Sequence, residues 1–63
     1  MQAFQERVVV EKNELDEKIN KLSSFIESDR WSSVAEDEKE WMRKQLVAMG
    51  EYSNVLSQRI ANF

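Results

Sequence analysis

The chain reads as an all-α protein, an antiparallel two-helix hairpin that self-associates into a helical bundle. Three observations predict this. Two long amphipathic segments flank one short, turn-like stretch; the 63 residues include no proline and one glycine; and the apolar residues recur at helical rather than alternating spacing. On this reading residues 1–63 form a single helical hairpin, with a helix over 2–27, a connection over 28–35 and a helix over 36–62.

In the first segment Phe4, Val8, Leu15, Ile19, Leu22 and Ile26 follow at gaps of four, seven, four, three and four, so they share one helix face. Lys12 stands where an apolar residue would continue the stripe. Opposite charges at i, i+4 (Arg7 with Glu11, Glu14 with Lys18, Glu17 with Lys21) lie off it. Each such pair adds about 0.2–0.5 kcal/mol to an isolated helix.

The stretch from Ser28 to Ala35 breaks the charge pattern and gathers residues whose side chains compete for backbone hydrogen bonds. It is the connection, and its Trp31 and Val34 are expected to fold back over the end of the core. Glu36, Asp37 and Glu38 then supply negative charge where a helix N-terminus favours it, by roughly 0.3–1 kcal/mol per group.

In the second helix Met42, Leu46, Met49, Leu56, Ile60 and Phe63 form the matching stripe, with Ser53 filling one of its positions. Antiparallel pairing sets Leu22 near Met42, Leu15 near Met49 and Val8 near Leu56. Gly50 lies mid-helix at a cost of roughly 1 kcal/mol relative to Ala, and close approach of another helix is the expected reason.

Trp41, Ala48, Tyr52 and Val55 fall beside this stripe, as Val9 and Phe25 do on the first helix, so each helix is apolar over more than a two-helix contact covers. A chain this short buries only about 60% of the surface its unfolded form exposes. With no Cys and no His, neither disulfides nor the commonest zinc sets can compensate. A homo-oligomer, two hairpins forming a four-helix bundle or a larger symmetric assembly, is therefore expected.

Nine Lys plus Arg against twelve Asp plus Glu give a net charge of −3, dispersed along the chain, which argues against a duplex-DNA binder. No apolar run approaches the roughly 20 residues that cross a bilayer. The start lacks the basic and apolar regions of a signal peptide, so no membrane association and a reducing, cytoplasmic setting are expected.

The residue types exclude most chemistry. There is no His for general base work, no Cys nucleophile and no glycine-rich phosphate loop. Carboxylates at helical spacing occur, as Glu36 with Glu40 and Glu14 with Glu17, but a di-metal bundle adds Glu-x-x-His, which this chain cannot supply. No enzyme, cofactor or metal is expected.

Binding is better supported. Gln45, Tyr52 and Arg59 are spaced by seven and line one edge of the second helix. Arg59 lies at the open end of the hairpin with Phe4 and Arg7. Two guanidiniums near aromatic rings grip phosphate bidentately and stack on a base, which makes Arg7, Gln45, Tyr52 and Arg59 the candidate ligand-binding set. The competing reading pairs Arg59 with Glu6 and Arg7 with Glu11 as ordinary surface ion pairs. At the loop end Trp31, Trp41, Arg43 and Lys44 form a second candidate patch, this one for a protein partner. Its competing reading is a Trp buried in the oligomer and covered by Arg43.

The run Arg7-Val8-Val9-Val10-Glu11-Lys12-Asn13-Glu14-Leu15-Asp16-Glu17-Lys18-Ile19, with Leu22 and Phe25-Ile26, and the later Gln45-Leu46, Met49, Tyr52-Ser53, Val55-Leu56 and Arg59-Ile60, resembles a family of very short proteins of tailed bacteriophages and prophages related to a small crAss-like phage protein. The similarity covers nearly the whole chain; the Trp-rich connection and Gly50 depart from it. The resemblance implies a small accessory phage product of the bacterial cytoplasm. By analogy with other helical phage oligomers, it suggests a non-enzymatic protein that counters antiviral defence by sequestering a cyclic nucleotide or cyclic ADP-ribose type of signal between subunits. The alternatives are an inhibitor or adaptor acting on a host defence protein, and a structural phage assembly factor.

Overall fold

A computed structural model describes residues 1–63 as two helices, α1 (Ala3–Ile26) and α2 (Glu36–Ala61), joined through a 3₁₀ turn at Asp29–Ser33. Local chemistry sets the ends. The Gln2 N–H donates to Gln5 Oε1 at 2.9 Å, satisfying one donor that the first turn of α1 leaves open. At the other end of α1 the Ser28 hydroxyl donates to the Phe25 carbonyl at 2.6 Å, offering the chain an alternative to further helix. Ser32 and Ser33 repeat this contact on Asp29 and Arg30, so each turn of the connection closes on itself. At the start of α2, Asp37 accepts from the Glu38 N–H at 3.0 Å and Glu36 pairs with Lys39 at 3.2 Å.

The helices pack antiparallel along their apolar stripes. Val8, Leu15 and Leu56 are buried, with Ile19, Met49 and Ile60 packed on them, so two of the three expected pairs, Val8 with Leu56 and Leu15 with Met49, fall within the core. Leu22 and Met42 are half-buried nearer the loop. At the open end Phe4 and Phe63 meet edge to face, their ring centroids 6.1 Å apart. Phe63, a member of the core stripe by its spacing, is instead 41% exposed, because it stands past the last turn of α2 with Phe4 on one side of its ring.

Lys12 and Ser53, the two polar interruptions of the stripes, face each other. The Lys12 ammonium donates to Asp16 Oδ2 at 2.7 Å and to Ser53 Oγ at 3.1 Å, and the Ser53 hydroxyl donates to Asp16 Oδ1 at 2.6 Å. This closed ring of three bonds ties the helices at mid-length and fixes their register. None of the i, i+4 ion pairs read from the sequence closes; the pairs present are Lys12 with Asp16, Lys39 with Glu36 and Lys44 with Glu40. Arg7, Glu14, Glu17, Lys18 and Lys21 are exposed, where ordering two long side chains offsets the small Coulomb gain.

The hairpin is a rod of 45 × 16 × 13 Å with a radius of gyration of 14.5 Å, against about 11 Å for a compact chain of this length. Its accessible surface of 4849 Å² exceeds by about 600 Å² that of a compact monomer of this mass. No helix is long and apolar enough to cross a membrane.

Candidate ligand-binding face

The two broad faces of the hairpin differ in chemistry. Asp16 follows the buried Leu15 and accepts from Ser53, so the polar ring opens on the flank reached by stepping one residue forward, and Tyr52, one residue before Ser53, falls on the other. Stepping back one residue, about 100° round the helix, leads to the other flank. Arg7, Lys18 and Phe25 precede Val8, Ile19 and Ile26; Trp41, Gln45, Ala48, Val55 and Arg59 precede Met42, Leu46, Met49, Leu56 and Ile60. In antiparallel helices the same rotational sense brings these flanks to one face. That face is open and carries large apolar side chains among its cations: Trp41 is 65%, Val55 54% and Tyr52 44% exposed.

All four candidate ligand-binding residues lie on it. Arg7 is one turn in from Phe4 and Arg59 one turn in from Phe63, so the Phe4–Phe63 contact puts the two residues at the same level of the open end. Both are exposed. Neither forms an ion pair, so the Arg59–Glu6 and Arg7–Glu11 pairs of the competing reading are absent. Tyr52 stands one step of seven residues further along, about 10 Å. Gln45 lies about 21 Å from Arg59, too far to share one compact ligand within a chain, and its amide only approaches Met49 Sδ at 3.8 Å. No enclosed cavity forms between the helices. Arg7 borders a shallow depression on α1 with Val10, Glu11 and Glu14, and α2 carries another bordered by Arg43, Lys44 and Val47.

The loop-end patch is largely committed within the chain. Trp31 is half-buried, its ring edge to face with Phe25 at 6.3 Å, while Lys39 and Arg43 sit over it at 5.5 and 5.4 Å from the centroid. Arg43 thus covers Trp31 inside the hairpin. Lys39 escaped the sequence reading, although its spacing of four from Arg43 puts the two cations on one face. Trp41 is different: Lys44 lies 4.8 Å from its centroid, and the remainder of the ring faces solvent.

No group of three or more acidic side chains is placed to hold a metal ion, and no catalytic constellation is assembled. No solved structure matches the chain. In sequence it is 41% identical over 63 residues to an uncharacterized 7.5 kDa protein of the denB-rIIB intergenic region of Enterobacteria phage T4, covering 100% of this chain and 98% of the relative. A phage association is thereby supported; the narrower relation to a crAss-like phage protein is not carried by these matches. The Sequestin family model aligns with residues 2–62, and the chain belongs to the Sequestin family.

Proposed function

We propose that this protein is a non-enzymatic phage accessory protein that counters antiviral defence by binding and sequestering a nucleotide-derived signal between the subunits of a homo-oligomer. The observation that carries the reading is the pair of exposed arginines, Arg7 and Arg59, at one level of the open face and without a salt bridge in the chain. A cation left unpaired beside aromatic surface suits an anion with a stacking ring, since guanidinium grips phosphate in two-pronged fashion. In this role Arg7 and Arg59 hold phosphate, Tyr52 stacks on a base and Gln45 reads a polar edge. The family's name, which speaks of sequestering, agrees with it.

The rod encloses no cavity, and its depressions are shallow and open, the one beside Arg7 being lined also by Glu6, Glu11 and Glu14, so the ligand is held where hairpins meet. Docking of a host protein on the loop end is the less supported reading, because Lys39 and Arg43 already cover Trp31 and Lys44 is shared between Trp41 and Glu40. Isothermal titration against cyclic di- and trinucleotides and cyclic ADP-ribose isomers tests the proposal. Saturable heat with one class is expected; no heat with any of them retires it.

A further inference from the structure

The open face carries two patterns that reverse onto themselves. On α1, Phe4, Glu11, Lys18 and Phe25 follow at steps of seven, and reading them backwards exchanges Phe with Phe and Glu with Lys. On α2 the order is Trp41, Gln45, Tyr52, Arg59, Phe63, at steps of four, seven, seven and four, centred on Tyr52. The α1 pattern centres between Glu14 and Leu15. In the observed register Phe4 meets Phe63 and Lys12 meets Ser53, so the residue of α1 level with Tyr52 falls between Asn13 and Leu15, a span that includes that centre. The two patterns therefore share one level of the rod.

We infer that a second copy of this chain packs on this face about a two-fold axis that crosses the hairpin at Tyr52, with α1 antiparallel to the partner's α1 and α2 antiparallel to the partner's α2. Such an isologous contact requires a self-complementary surface. Here Phe4 meets the partner's Phe25, Glu11 the partner's Lys18 and Trp41 the partner's Phe63, while Tyr52 and its copy flank the axis. Neither Glu11 nor Lys18 has an ion-pair partner in its own chain, and the symmetry supplies each with one. Every neighbouring helix pair is then antiparallel, as in an up-and-down four-helix bundle.

This inference rests on the sequestration reading only in what it says of the ligand. The same axis brings the partner's Gln45 beside Arg59, closing the gap of about 21 Å that a single chain leaves. Each dimer then holds two equivalent sites, with Arg7 and Arg59 from one subunit and Gln45 from the other.

Charge exchange tests the arrangement. Glu11→Lys and Lys18→Glu each place like charges together twice per dimer, and each is expected to raise the dimer dissociation constant about ten-fold or more in sedimentation equilibrium at low salt. The double variant restores both pairs with reversed sign and is expected to recover dimerisation to within about two-fold of wild type, the coupling that a mutant cycle detects. A double variant no better than the singles, or a wild-type protein monomeric at micromolar concentration, overturns the inference. Titration with the nucleotide panel, run on the same samples, separates the two proposals. Heat at one ligand per chain supports the shared site. Nucleotide binding with inert charge exchanges overturns the dimer and leaves sequestration standing, whereas rescue without any nucleotide binding supports the dimer and retires sequestration.

Discussion

Asp16 accepts hydrogen bonds from the Lys12 ammonium and the Ser53 hydroxyl, and these, in that order of weight, hold its carboxyl below the ordinary value of 3.8 against the opposing pull of desolvation. A carboxylate whose folded pKa is depressed stabilises the fold in full above its unfolded value, and that contribution is lost as pH falls through the lower, folded value. The midpoint of thermal unfolding should thus fall as pH drops below about 3.8, and Asp16→Asn should remove this part of the slope; an unchanged pH profile in the variant would show that the ring does not stabilise the hairpin. Arg59 poses a different question, since it has no partner to lose. Arg59→Lys keeps the charge but removes the planar two-pronged donor, so a phosphate contact should weaken by roughly 1–3 kcal/mol while the melting temperature stays put. The assay is protection of phage from a signalling-based defence. Protection retained in full would make Arg59 ordinary surface.

Within the elements, Gly50 is the residue for which the hairpin itself supplies no reason. A Cβ built there meets nothing within 4 Å, so no close approach inside the chain requires glycine, contrary to the simplest form of the expectation. Gly50→Ala should therefore raise stability by about 0.5–1 kcal/mol. A fall in the denaturation midpoint instead would reveal a neighbouring subunit's helix against that position. The two helices were legible because a stripe repeating at helical spacing over six or seven turns has no competing interpretation. The polar ring was only half legible: Lys12 and Ser53 stood out as gaps, but their meeting depends on register, and Asp16 lies beside the stripe rather than in it. The 3₁₀ turn was hidden because serine-to-carbonyl bonds of that kind leave no trace in hydrophobic periodicity. Candidate site residues could be placed on an edge from their sevenfold spacing, whereas the distance separating Gln45 from Arg59 becomes decisive only when no cavity spans it.

As a whole molecule the hairpin buries only Val8, Leu15 and Leu56, and it leaves Trp41, Tyr52 and Val55 open along one face. Such a core rarely supplies more than about 3–5 kcal/mol at this size, with no disulfide to add to it. Folding and association should therefore be coupled, the oligomer stabilising the helices that compose it. Val55 gives the direct test. It is 54% exposed on the open face, immediately before the fully buried Leu56, so a substitution there reaches the proposed interface while sparing the hairpin core. Val55→Glu introduces a charge with no opposite partner, and an uncompensated buried charge costs several kcal/mol. The variant should be monomeric by light scattering at micromolar concentration. Because the released hairpin has too little core to persist alone, helical circular dichroism should fall over the same concentration range. An oligomer of unchanged mass would exclude this face as the interface, and a helical monomer would show that the rod stands without a partner.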